Sequence, residues 1–328
     1  MTTSPQTTEP WYIGVDVGGT NINTLLVDKD FNEHTQLTVA TDLTNPDYTL
    51  TAIIAAVEKT LARAGLPRTE IAALGMGVPG QVDPKEGVVN LAANLNWYDF
   101  PAGELLSGAL GMPCFLENDV RAAAWGAYRL GSHPGIEHLA YVNIGTGVAT
   151  GLILGGQLYR GAHGMAGEIG HIVVEPAGTA CKCGAQGCLE TIVAGPAIAR
   201  AGREAAQQQP NSLLAGCTPL TTQHVYDAAQ AGDAVAVALT NRVGQYLGRA
   251  LQAVVMSYDI ERIVLGGGVT RSGQAFLQPI LAAWQQLRQS SPLAEAMLNP
   301  DMLVLADPNR NMGAWGAAAL AENKFSRM

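Results

Sequence analysis

Residues 11–28 read WYIGVDVGGTNINTLLVD, and this stretch decides the architecture. The apolar run YIGVDV ends in the turn Gly18-Gly19-Thr20, and a second strand-like run follows from Ile22 to Asp28. A strand, a glycine turn and a strand predict a hairpin. It places the carboxylate of Asp16 at the end of a buried strand. Gly18 and Gly19 let backbone N–H groups approach an anion, and Thr20 and Asn21 add a hydroxyl and an amide. That set suits a polyphosphate with its magnesium ion. An ordinary hairpin with Asp16 bonded to its own turn would read the same from this segment alone.

Residues 140–156, AYVNIGTGVATGLILGG, repeat the pattern. A second loop, Asn143-Ile144-Gly145-Thr146-Gly147, sits between two strands, and Leu265-Gly266-Gly267-Gly268 ends a third buried strand. Three glycine turns at strand ends are hard to explain by packing alone. None is a Walker loop or a Rossmann fingerprint, because the first two lead into strands and lack the required Lys or glycine spacing. The echo suggests two related halves, each turning a glycine hairpin toward a shared cleft, with a boundary near Gly131.

Between the loops, helices are expected around Asp47–Ala64, stopped by Gly65, and through VRAAAWGAYRL up to Gly131. A strand over Ile71–Val78 ends at Pro79-Gly80, and a short strand from Pro113 to Leu116 leads into Glu117-Asn118-Asp119. Asp119 thus stands at a strand-to-helix junction, where a capping role is the simplest reading. Later, Val243–Tyr258 reads as a helix, Ile263–Leu265 as a buried strand, and the small residues Gly313–Leu320 as a tightly packed helix.

The chain has 328 residues, 48% of them hydrophobic, enough for a large core and more than one compact domain. A net charge of -9, with 19 Lys+Arg against 28 Asp+Glu and no basic run, argues against a nucleic-acid partner. MTTSPQTTEP has neither the charged start nor the apolar stretch of a secretory signal and reads as a short unstructured lead, so a cytoplasmic protein is expected. The uncharged run Leu139–Tyr159 carries five glycines and several polar residues; it reads as buried strands rather than a membrane span.

Three of the five cysteines fall within residues 181–188. With His171 they form the spacing His171-x9-Cys181-x-Cys183-x4-Cys188, the ligand set of a closed tetrahedral zinc site. A redox pair between Cys181 and Cys183 and plain buried thiols are the competing readings. One intervening residue strains a disulfide, and Gly184 and Gly187 permit the tight turns a metal knuckle needs. A metal held by four protein ligands has no open position, so its role is structural. Cys114 and Cys217 lie outside the cluster as expected core residues.

Asp16–Asn21, Gly145-Thr146-Gly147, GEIGH at 167–171, CKCGAQGCLE at 181–190 and LGGGV at 265–269 together resemble the ROK (repressor, ORF, kinase) family, from about Tyr12 to Leu320. The resemblance implies an α/β fold of the actin-like ATPase (ribonuclease H-like) type, two α/β domains flanking a deep cleft. The expected domains are 11–130, completed by the C-terminal helix 313–328, and 131–312. It implies ATP and Mg2+ on Asp16, Gly18, Gly19, Thr20, Asn21, Gly145, Thr146, Gly147, Gly266, Gly267 and Gly268. It further implies a hexose on Asn118, Asp119, Glu168, His171 and Glu190, and, on looser motifs, Gly80 and Asn94.

By the same resemblance Asp119 is the general base that takes the proton from the attacking sugar hydroxyl, and His171 serves zinc with one ring nitrogen and sugar with the other. Glucose going to glucose 6-phosphate is the first expectation. N-acetylmannosamine, N-acetylglucosamine, fructose and allose are the alternative hexoses, and a homodimer or homotetramer is implied. The family also contains sugar-sensing regulators, but only ten residues precede Trp11, too few for a helix-turn-helix. Two departures stand out: Ala149 where members often carry glycine, and Tyr258-Asp259-Ile260 where they often carry Asp-Pro.

Overall fold

The structure is a computed structural model describing residues 9–131 and 133–327; residues 1–8 of the expected unstructured lead, and the last residue of the segment 313–328, lie outside them. Packing divides the chain into two units. The first runs to His133 and takes in Arg160–Met165 and the segment from Arg310 onward; the second comprises Pro134–Tyr159 and Ala166–Asn309.

In the first unit the opening hairpin forms as the sequence predicts, from β1 (Trp11–Val17) and β2 (Asn21–Val27), with β3 (Glu33–Ala40) antiparallel to β2. β4 (Ile71–Val78) lies parallel to β1. A separate three-stranded sheet, β5 (Gln81–Asp83), β6 (Val88–Ala92) and β7 (Trp97–Phe100), had no strand expectation behind it. Its strands are short and turn through positive-φ Asn96 and Asp99, so they carry little periodicity. Trp97 is packing: it is fully buried, stacks on Phe100 at 4.5 Å and donates to Pro46 O. β8 (Cys114–Asn118) is parallel to β4 and completes the order β3-β2-β1-β4-β8.

The two-residue period of β1 explains its partners. Ile13, Val15 and Val17 join Ile53, Val57 and Leu61 of helix Pro46–Ala64 in one core. That helix is capped by the Asn45 side chain and stopped by left-handed Gly65. Tyr12, Gly14 and Asp16 face the other way, toward helix Met312–Phe325, whose Ala314, Trp315, Ala318 and Ala321 are buried. A Cβ on Gly14 or Gly75 would collide with the backbone of that helix, so bare glycine lets helix and sheet meet at close range.

The second unit repeats the plan. β9 (Leu139–Ile144), β10 (Val148–Leu154) and β11 (Gln157–Tyr159) form an antiparallel meander. β12 (Arg262–Gly266) and β13 (Leu303–Leu305) extend it in parallel, giving the order β11-β10-β9-β12-β13. The two five-stranded sheets share one connectivity, which is the structural form of the sequence echo. Helix Ala234–Tyr258 starts nine residues earlier than its apolar face suggested, because the Asp233 side chain caps it by accepting from Ala236 N. Among the described residues no helix is long and apolar enough to cross a membrane.

Candidate active site

In the first unit, the β1–β2 turn is closed by Gly18 N donating to Asn21 O at 2.8 Å and is braced by Thr41, whose hydroxyl donates to Gly18 O. Gly19, Thr20 and Asn21 stay on the surface, and Gly18 is half-buried behind them. Asp16 is not bonded to this turn. Its Oδ2 accepts from Asn23 Nδ2 at 3.3 Å and from Asn311 Nδ2 at 3.0 Å. Burial raises its carboxyl above the ordinary carboxylate range, and the two amides oppose that rise. Asn311 caps helix Met312–Phe325. Asn94 lies beside the same turn, its amide 3.6 Å from where a Gly19 Cβ would be.

At the β8 junction the cap is Asn118, not Asp119. The Asn118 Oδ1 accepts from Val120 N and Arg121 N, both at 3.1 Å. Its amide nitrogen donates to Gly80 O at 3.1 Å and to Asp119 Oδ1 at 2.9 Å, which brings Gly80, Asn118 and Asp119 together. Asp119 opens helix Asp119–Leu130, and Val120 N also donates to its Oδ1 at 2.9 Å. The N-terminal end of a helix stabilises a negative charge, so the junction holds a carboxylate in one orientation.

In the second unit, Glu168, His171 and Glu190 gather around the cysteine cluster. The His171 Nε2 is 4.0 Å from Glu168 Oε2, while its Nδ1 faces Cys181 Sγ at 3.7 Å and Glu190 Oε1 at 3.8 Å. One ring nitrogen therefore looks to the thiols and the other to a carboxylate. Cys183 and Cys188 Sγ are 3.6 Å apart, and the four donor atoms of His171, Cys181, Cys183 and Cys188 lie within 4.8 Å of one another. A tetrahedral zinc with bonds of about 2.3 Å to sulfur and 2.0–2.1 Å to nitrogen requires S···S near 3.8 Å and S···N near 3.6 Å, so the donor set fits that ion.

The knuckle is built by Cys181 N donating to Ala185 O and Gly184 N to Cys181 O. Gly187, at φ +71°, packs where any Cβ would strike Glu175. Burial pushes the Cys181 thiol up to about 12, whereas a bond from the Ala185 backbone holds exposed Cys183 down to about 7. Cys114 and Cys217, outside the cluster, are half-buried against the two cores.

The second loop turns on Gly145 N donating to Gly147 O at 3.0 Å, and it is joined to a helix start by Gly195 N donating to Gly145 O at 2.8 Å. A Cβ on Gly147 would come 3.2 Å from Glu190 Oε2, so loop and carboxylate are neighbours. Gly145, Thr146 and Gly268 line a cavity of about 540 Å³ with Gly195, Pro196 and Thr222. Gly266 and Gly267 do not line it; they pack against the Tyr141 ring and the Ile144 backbone, where an added Cβ would collide.

Residues 12–324 match the ROK family. The chain belongs to the ROK family. Its relatives include a glucokinase of Halalkalibacterium halodurans, 35% identical over 82% of this chain and 84% of that one, and a glucokinase of Streptomyces coelicolor, 34% identical over 94% and 96%. A solved ROK family glucokinase from Streptomyces griseus, in complex with glucose and AMPPNP, superposes with a TM-score of 0.80 at 33% identity, covering 95% of this chain and 99% of that one. The ROK fold here is the actin-like ATPase fold with two α/β domains.

Several residues around the candidate groups were not legible in sequence. Asn311 and Gly313 meet Asp16 from nearly the other end of the chain. The cavity walls Pro196, Ala199, Leu220, Thr221, Thr222 and Gln223 come from two separate helix starts. The available signals were Pro196 in the first turn of one helix and the capping pair Thr221 and His224 at the start of the other.

Proposed function

We propose that this chain is an ATP-dependent hexose kinase that transfers the γ-phosphate of ATP to a sugar hydroxyl, with glucose going to glucose 6-phosphate. The observation that carries it is the junction at Asn118-Asp119. A carboxylate there is held through one oxygen by an amide and a backbone N–H, in a chain aligned almost end to end with glucokinases. Phosphoryl transfer needs chiefly positioning and charge stabilisation, and a carboxylate beside the attacking hydroxyl is sufficient as base.

In this reading Asp119 accepts the hydroxyl proton, Asn118 and Gly80 border the sugar, and Glu168, His171 Nε2 and Glu190 accept or donate to its other hydroxyls. The turns at Gly18–Asn21 and Gly145–Gly147 cradle the phosphates with backbone N–H groups, and the cavity beside Gly268 and Thr222 takes the adenosine. Asp16 would hold Mg2+, which supplies charge neutralisation of the β- and γ-phosphates when bound. His171 Nδ1, Cys181, Cys183 and Cys188 would hold zinc, a structural ion that keeps the His171 ring and the start of helix Glu190–Val193 in place.

A coupled assay over glucose, mannose, fructose, allose, N-acetylglucosamine and N-acetylmannosamine tests the proposal beside Asp119→Asn. Turnover is expected with glucose foremost, and a fall of about 10²- to 10⁴-fold in kcat for the variant. Absence of turnover on every sugar, or full activity in Asp119→Asn, refutes it.

A further inference from the structure

Glu117 is a fully buried carboxylate one residue ahead of the Asn118-Asp119 junction, and two guanidinium groups hold it. Arg121 Nε donates to Oε1 at 2.7 Å, and Arg160 reaches Oε2 at 2.7 Å through Nε and Nη2. Asn118 N donates to Oε1 at 3.0 Å. Arg121, itself buried, also donates through Nη1 to Gly164 O at 2.8 Å, and its Nη2 has no hydrogen-bond partner among the described residues. Arg160 and Gly164 both belong to Arg160–Met165, the short stretch that packs with the first unit although the chain on either side of it belongs to the second.

We infer that Glu117, Arg121 and Arg160 are positioning residues for the Asp119 carboxylate. The connection is short and directional. The arginines fix Glu117, Glu117 fixes the Asn118 peptide through its N–H, and the Asn118 amide holds Asp119 Oδ1 at 2.9 Å while also binding Gly80 O. Arg121 closes the ring from the other side, because its backbone N–H donates to Asn118 Oδ1. A buried ion pair of purely structural use is the alternative. It would have no need to end on the one peptide that orients the proposed base, nor to leave a buried guanidinium N–H unsatisfied.

The planar fork of arginine can serve a carboxylate and a carbonyl at once, which a lysine ammonium does less well, so the residue type also matters here. None of the three side chains needs to touch substrate. Their effect on the reaction is to keep Asp119 within the narrow range of positions from which a proton can be taken.

The inference rests on the kinase reading, and its test separates the two. Steady-state kcat and KM for glucose and ATP are measured for Glu117→Gln, Arg121→Met, Arg121→Lys and Arg160→Met beside Asp119→Asn, with thermal melts to gauge the folded fraction. Glu117→Gln and Arg121→Met are expected to lose about 10- to 100-fold in kcat per folded chain with the ATP KM nearly unchanged, and Arg121→Lys to recover part of the loss. Should Arg121→Met fail to fold, the isosteric Glu117→Gln and the partly exposed Arg160→Met carry the experiment.

Folded Glu117→Gln and Arg160→Met with unchanged kcat, beside an inactive Asp119→Asn, would overturn the positioning role and leave the kinase standing. A fully active Asp119→Asn would overturn both.

Discussion

Gly313→Ala should separate catalysis from stability in this chain. Gly313 is the second residue of helix Met312–Phe325, and a Cβ built on it lies 2.6 Å from Asp16 Cγ and 2.7 Å from Oδ1. Non-bonded carbons rest at about 3.5–4.0 Å, so the carboxylate has to retreat by roughly 1 Å. Such a retreat stretches the bonds from Asn311 at 3.0 Å and Asn23 at 3.3 Å toward or beyond the limit of useful hydrogen bonding. The forced contact costs about 1–3 kcal/mol, and alanine in place of glycine within a helix returns up to about 1 kcal/mol.

The net destabilisation is then between about 0 and 3 kcal/mol, a Tm shift of at most several degrees. If Asp16 holds the metal–phosphate complex, a misplacement of roughly 1 Å lowers kcat by about 10²-fold, close to 2.7 kcal/mol in the barrier. The assay is kcat with saturating glucose and ATP beside a thermal melt, with Gly108→Ala as control. Gly108 sits in helix Ala102–Leu110 with nothing within 4 Å of an added Cβ. Its alanine variant should gain about 0.5–1 kcal/mol and keep full activity. A folded Gly313→Ala enzyme with wild-type kcat would refute the placement of Asp16 in the phosphate machinery.

Three further outcomes are expected. Purified protein should carry about one zinc per chain by atomic emission, and Cys183→Ser should lose metal together with glucose affinity; a metal-free, fully active wild type would contradict this. Thr222→Val removes the bond from its hydroxyl to Gly195 O at 2.7 Å beneath the cavity, and should raise the ATP KM about fivefold while leaving the glucose KM alone. Glu261 accepts from Glu137 N and His138 N at 2.8 Å, which lowers its pKa, so its contribution to stability is present above the ordinary carboxylate pKa and disappears as pH falls through the lowered one. In denaturant melts, Glu261→Gln should therefore be less stable than wild type by about 0.5–1 kcal/mol at pH 7, and the difference should shrink steadily as pH falls below the ordinary carboxylate range.

Those features that depend on residues close in the chain were legible before the structure. The β1–β2 hairpin is written in residues 11–27, and the cluster of His171 with three cysteines in residues 171–188, because a turn and four neighbouring donor atoms need only local geometry. The sheet duplication was readable as a repeat of strand, glycine turn and strand, since both halves solve the same packing problem. The assignment of Asp119 rested on resemblance, and local pattern alone pointed instead to a cap, a duty the structure gives to Asn118.

Long-range pairing decided the rest. Nothing near residue 16 indicates that Asn311 and Gly313 will meet Asp16; that follows from strand alternation, which turns Gly14 and Asp16 toward a helix formed some 300 residues later. Nothing near Glu117 indicates that Arg160 will reach it, or that residues 160–165 will pack with the first unit. Residue types and spacing determined the hairpins, the His171–cysteine cluster and the family; only burial of one element against another determined which side chains hold Asp16 and Asp119, because a buried charge takes its partners from whatever the fold brings to it.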